Sequence, residues 1–207
     1  MRFKELIVLR MSEMLLLIRI LVARFVVFFS FPMKKSLWLI SERGREARDN
    51  GYYFYKWIKQ NHPEIPVKYI VSKTSCDYSR IASEDVVAFN SFQHLLYIWK
   101  AKYLISTHIM GFTPNYVYFT KLDKILHLFR HKKIIFLQHG IIKDRLEGLF
   151  YGNINVNLFV TGSNLEYHYV NETFGFPIGV VQYTGLCRYD GLYKFETKRQ
   201  ILIMPTW

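Results

Sequence analysis

From residue 36 onward, apolar runs of four to six residues alternate with segments whose apolar positions recur every three or four residues. The runs at 36–41, 67–71, 86–89, 103–106, 133–138, 158–161 and 180–183 read as strands, and 52–60, 92–100 and 164–174 read as helices. Runs that are apolar at successive positions, rather than at every second one, belong to strands buried on both faces. Short strands of that kind alternating with helices predict an α/β fold: a Rossmann-like parallel sheet with helices on both sides. Residues 200–207 read as one more buried strand. Because no helix follows to cover it, that strand suggests a further domain in the complete protein.

Residues 1–33 differ from the rest. They are mostly Leu, Ile, Val, Phe and Met, interrupted by Arg10, Glu13, Arg19 and Arg24, and the longest uncharged stretch is 25–33. That is shorter than the roughly 18–20 residues a spanning helix needs. On a helical wheel the charges share one broad half, while Leu15, Ile18, Val22, Phe25 and Phe29 occupy the other, so an amphipathic helix ending near Pro32 is predicted. Arg2, Lys4, Arg10, Arg19, Arg24, Lys34 and Lys35 against Glu5 and Glu13 give this end a charge of +5. A basic amphipathic helix rich in aromatics points to peripheral binding at an anionic membrane surface. The alternatives are a helix packed on the protein's own core and a secretory signal, the latter opposed by the internal arginines.

Composition sharpens this picture. With 51% hydrophobic residues and 17% aromatic, the chain can build a true core. Its net charge of +12 favours anionic partners. The aromatics sit inside strand and helix patterns rather than on polar loops, so a nucleic-acid role would rest on charge alone and none is expected. Cys76 and Cys187 are far apart and form no CxxC pair. No metal-ligand spacing occurs, so neither metal nor cofactor is expected.

Ligands of open α/β sheets bind at the carboxyl ends of the strands, which ranks the polar residues. His139 follows an apolar strand and precedes Gly140, with Lys143 and Asp144 close behind. A histidine there can take a proton from an attacking hydroxyl, and a lysine and free N–H groups can hold phosphate oxygens. His108 ends another strand, before a loop with Gly111 and Pro114. The segment 42–51, with Arg43, Gly44, Arg45, Asp49 and Asn50, is a candidate phosphate-facing loop or else a solvated turn in which Arg48 and Asp49 pair with each other or with Glu46. Arg188, in the glycine-flanked stretch 184–191, either binds ligand or caps and pairs within its own loop.

Taken together, SERG at 41–44, ARDNGY at 47–52, ISTH at 105–108, FLQHGIIKD at 136–144, TGLCRYD at 184–190 and IMPTW at 203–207 occur in an order that resembles the CDP-glycerol glycerophosphotransferases, the teichoic-acid primases and polymerases and related capsule enzymes. The resemblance covers about residues 36–207. It implies the N-terminal, acceptor-side half of a GT-B architecture, peripheral at the cytoplasmic face of the membrane. It implies transfer of glycerol phosphate from CDP-glycerol to a hydroxyl of a lipid-linked acceptor, with release of CMP and with His139 as general base. Arg43, Gly44, Arg45, Asp49, Asn50, His108, Gly140, Lys143, Asp144 and Arg188 become the candidate substrate-binding residues. In this family the donor is held mainly by the C-terminal half, beyond the Pro-Thr-Trp strand, so this chain alone is expected to be inactive. The expected division is a membrane-associating helix at 1–33, a Rossmann-like acceptor-side domain at 34–190, and a linker with the first strand of a donor-binding domain at 191–207. Two other readings stay open: a GT-B glycosyltransferase using a nucleotide sugar, and a non-catalytic module that docks on the membrane and holds a polyanionic acceptor.

Overall fold

The computed structural model describes residues 11–30, 36–194, 196, 198–201 and 203. Helix α1 is Met11–Phe28; then come β1 Trp38–Ser41, α2 Asn50–Asn61, β2 Val67–Val71, β3 Val86–Ala88, α3 Phe92–Lys100, β4 Tyr103–Ser106, α4 Tyr116–Leu126, β5 Lys133–Phe136, β6 Leu158–Thr161, α5 Asn164–Thr173 and β7 Val181–Tyr183. All seven strands pair in parallel, in the order β3-β2-β1-β4-β5-β6-β7. The order reverses between β1 and β4, so the crevice at their carboxyl ends is the switch point of the sheet.

Successive strand residues feed opposite cores, as a two-sided sheet requires. Leu39, Ile70, Val87 and Leu104 pack with α1, α3 and α4. Ile40, Tyr69, Val71 and Ile105 pack with Tyr55 and Ile58 of α2 and with Leu186. Phe136, Phe159 and Val181 pack under Val170 of α5. Four helices begin on side-chain caps: Asp49 for α2, Ser91 for α3, Asn115 for α4 and Ser163 for α5.

Helix α1 packs on the protein's own core along one side and leaves another apolar side exposed. Ile20 and Ala23 are buried against the α3–α4 core, with Leu16 and Leu17 packed beside them. The Trp99 indole N–H donates to the Ile20 carbonyl, and Arg19 reaches the Asn90 carbonyl. Yet Leu15, Ile18, Val22, Phe25 and Phe29, the apolar half of the wheel, are all exposed. The helix is therefore apolar on two sides, one of them open. Among the described residues no helix is long and apolar enough to cross a membrane.

Two expectations change. Helix α4 was not foreseen; Tyr116, Val117, Tyr118, Phe119 and Thr120 are weak helix formers, and the Asn115 cap with apolar spacing at 118, 119 and 122 was its only signal. The strand expected over 200–207 is not seen where the chain is described. Gln200, Ile201 and Ile203 lie outside any strand and are exposed, because neither sheet edge, β3 or β7, pairs with them. The remainder of that strand, the Pro-Thr-Trp end and residues 1–10 and 31–33 of the predicted anchor lie outside the described residues.

Candidate active site

Four loops converge at the carboxyl edge of the sheet, and buried polar side chains fasten them to one another. The first is the loop after β1. Glu42 is 2% exposed, and its carboxylate accepts the backbone N–H groups of Arg48, Asp49 and Tyr52 at 3.2, 2.8 and 3.1 Å. A carboxylate at the N-terminal end of α2 meets the positive pole of the helix. Burial raises the Glu42 pKa, with the three N–H bonds opposing that effect. Gly44 adopts φ +70°, and a Cβ there would fall 2.0 Å from the Phe89 ring, so glycine is required. Arg48 pairs with Asp77 at 2.8 Å rather than with Asp49 or Glu46, and Asp77 also accepts the Ala47 N–H.

The second and third loops meet at two histidines. The rings of His108 and His139 stack with centroids 4.1 Å apart and 13° between planes. Thr107, fully buried, holds both. Its carbonyl lies 3.1 Å from Nδ1 of His139, and its hydroxyl lies 2.9 Å from Nδ1 of His108. A carbonyl only accepts, so the proton of a neutral His139 sits on Nδ1 and leaves the Nε2 lone pair free on an exposed ring. That is the tautomer a general base needs. Burial, with the His139 and Arg43 charges adding to it, pushes the His108 pKa down to about 4.

The tight backbone turn before His139 falls at Gln138, with φ 61°, and not at Gly140. A non-glycine residue in the left-handed region is strained. It is held there because Gln138 is buried, its Oε1 accepts the His139 N–H at 2.9 Å, and its carbonyl accepts Nδ2 of Asn50 at 2.6 Å. A Cβ on Gly140 would meet nothing within 4 Å. Beyond it the chain runs as an extended loop pinned by Glu166, whose carboxylate accepts the Ile142 N–H at 2.8 Å and the Gly162 N–H at 2.7 Å.

The fourth loop follows β7. Asn50, fully buried, accepts the Arg188 N–H at 3.0 Å while donating to Gln138, so one side chain staples the start of α2 to both loops. Arg188 pairs with Asp49 at 2.8 Å and donates to the His139 carbonyl at 2.9 Å.

Of the residues marked by the sequence, His139, His108, Asp49, Asn50 and Arg188 thus form one connected network, and Arg43 is close enough for its charge to act on His108. Arg45, Lys143 and Asp144 are exposed and make no hydrogen bond or ion pair to it among the described residues. Glu42, Thr107, Gln138 and Glu166 were not marked. A charged or amide side chain directly after a buried strand or at a helix start was the available signal. Among the described residues no group of three or more His, Cys, Asp or Glu is placed to hold a metal ion.

The family model for CDP-glycerol:poly(glycerophosphate) glycerophosphotransferase matches residues 22–207. The minor teichoic acid biosynthesis protein GgaB of Bacillus subtilis (strain 168) is 33% identical over 187 residues, covering 86% of this chain and 20% of its own length. Structures of the wall teichoic acid polymerase TagF superimpose over 89% of this chain and about half of theirs. A histidine-to-alanine variant gives TM-score 0.55 at 14% identity, and a histidine-to-asparagine variant with CDPG gives 0.57 at 12%. The fold is therefore similar to that of about half of the TagF chain, and this chain spans only part of each relative it matches. With the family model covering nearly the whole sequence, the chain belongs to the CDP-glycerol:poly(glycerophosphate) glycerophosphotransferase family.

Proposed function

We propose that this chain is the acceptor-side half of an enzyme that transfers glycerol phosphate from CDP-glycerol to a hydroxyl of a lipid-linked acceptor in teichoic-acid or capsule polymer synthesis. The observation that carries the reading is the His139 tautomer: Nδ1–H bound to the Thr107 carbonyl, Nε2 free at the switch-point crevice. In the proposed reaction Nε2 takes the proton of the acceptor hydroxyl as its oxygen attacks the phosphorus, and CMP departs. Arg43 and Arg188 lie where a phosphate oxygen's charge would be met. Phosphoryl transfer depends mostly on positioning and charge. The fastening of the loops after β1, β5, β6 and β7 by Glu42, Asn50 and Glu166 supplies that positioning.

The division of labour belongs to the same proposal. Residues 34–190 hold the acceptor and the base, residues 191–207 lead toward a donor-binding half, and residues 1–33 attach the protein to the cytoplasmic face of the membrane. The exposed apolar side of α1, beside Arg19 and Arg24, supports that attachment. The test is product analysis with a polypeptide carrying both halves. CMP released from CDP-glycerol, dependent on acceptor, is the expected result; nucleotide released only from nucleotide sugars would replace this reading with a glycosyltransferase.

A further inference from the structure

A central strand of a doubly covered sheet should be sealed on both faces. β5 is not. Its neighbours β4 and β6 are buried along most of their length, whereas Lys133 is exposed and Ile134 and Ile135 only partly covered. The gap lies on the face that carries α1, α3, α4 and α5, between α4 and the segment 151–157. Two adjoining cavities occupy it, of about 200 and 400 Å3, sharing Asp123, His127, Ile134, Asn155 and Val156. Together they form a groove along β5. One end opens beside Ser106 and His108, and the other reaches Arg130 and Pro177, about one strand length away, or about 13 Å.

The walls suit a particular chemistry. Near the histidines they are mostly aliphatic and aromatic, with Ile109, Met110 and Phe136. Lys124 stands on the wall of the cavity nearer His108 and Arg130 on that of the far one, both exposed and neither in an ion pair among the described residues. Asp123 is the opposing charge, set against the two cations Lys124 and Arg130, and its Oδ1 accepts the Phe129 N–H at 2.9 Å. Lys132 is occupied too, donating to the Trp99 and Ala101 carbonyls.

We infer that this groove binds the acceptor chain behind its reacting hydroxyl, as a polyol phosphate: carbon backbone against the apolar wall, phosphate charge at Lys124 and Arg130. The inference rests on the acceptor-side reading above and adds a path for the substrate along β5 to His108, whose ring stacks on His139.

The test uses the 207-residue chain and a fluorescent synthetic hexamer of glycerol phosphate, read by anisotropy. Asn155→Trp puts bulk into both parts of the groove from an exposed position. Lys124→Glu with Arg130→Glu reverses its charge, and Lys56→Glu, exposed on α2 across the sheet, controls for net charge. The first two changes are each expected to weaken binding by about tenfold or more, the charge pair also flattening its salt dependence, while Lys56→Glu stays near wild type. No binding by the wild type, binding indifferent to the groove changes, or equal binding of an uncharged oligomer of the same length would overturn the inference. CMP release by the two-half polypeptide is read separately. Its absence would remove the functional reading, whereas its presence with an acceptor KM unaffected by Asn155→Trp would remove only the groove.

Discussion

Thr107 is buried at the end of β4, and its two oxygens hold two different rings: the carbonyl fixes His139 and the hydroxyl meets His108. The two contacts are separable. Thr107→Val keeps the carbonyl and removes the hydroxyl, so it is expected to loosen His108 while leaving the His139 tautomer in place. The pH dependence of kcat should keep its shape, with a fall in rate smaller than that of His139→Ala; a change as large as His139→Ala would mean that the His108 contact matters as much as the base. Gly140 offers a second check. Nothing surrounds its Cα on the side where a Cβ would stand. Gly140→Ala should therefore fold with an unchanged melting temperature, and any loss of transfer would report a ligand approaching the backbone there.

At the scale of elements, His94 shows how a buried titratable group stabilises a helix junction. It is fully buried in α3, accepting the Asn90 N–H on Nδ1 at 3.1 Å and meeting the Phe112 carbonyl through Nε2 at 2.7 Å. Burial pushes its pKa down to about 4, below the ordinary 6.5. Since the folded state resists protonation, this contribution to stability is complete above pH 6.5 and is lost as pH falls toward 4, amounting to about 3 kcal/mol. Denaturant titrations of wild type and His94→Gln should diverge in slope across that window by about one proton; parallel curves would mean that His94 titrates normally. The exposed side of α1 gives another element-scale outcome. Ile18→Asp with Phe25→Asp leaves Ile20 and Ala23 packed but should abolish most co-sedimentation with anionic vesicles, each apolar side chain being worth about 2 kcal/mol when buried. Unchanged co-sedimentation would assign α1 to the core alone.

The strands were legible where burial is two-sided, as at 67–71, 103–106 and 158–161, because continuous apolar runs leave few alternatives. β5 was read two residues too long, since the strained turn at Gln138 depends on a bond from Asn50, which is distant in sequence. The wheel of α1 identified its apolar half but not that a second side, through Leu16, Ile20 and Ala23, meets α3. His139, His108 and Asn50 stood out by their places at strand ends and a helix start. Glu42, Thr107 and Glu166 did not, because what they do depends on which loops the sheet brings together.

Across the whole molecule, a seven-stranded parallel sheet brings the proposed base His139 together with Arg188 at one crevice, in a chain of net charge +12. The proposed division between halves predicts that the 207-residue chain binds a polyanionic acceptor without releasing CMP, because a base without an oriented donor has no phosphorus to direct the hydroxyl toward. His139-dependent CMP release by these residues alone would place the donor site within them instead. The central claim concerns His139 itself, and the most direct measurement is the rate of CMP release from CDP-glycerol by a polypeptide carrying both halves, wild type against His139→Ala. The expected result is a loss of about 100- to 10,000-fold in kcat with CDP-glycerol binding and melting temperature unchanged. A variant that folds, binds the donor and turns over near the wild-type rate would contradict it.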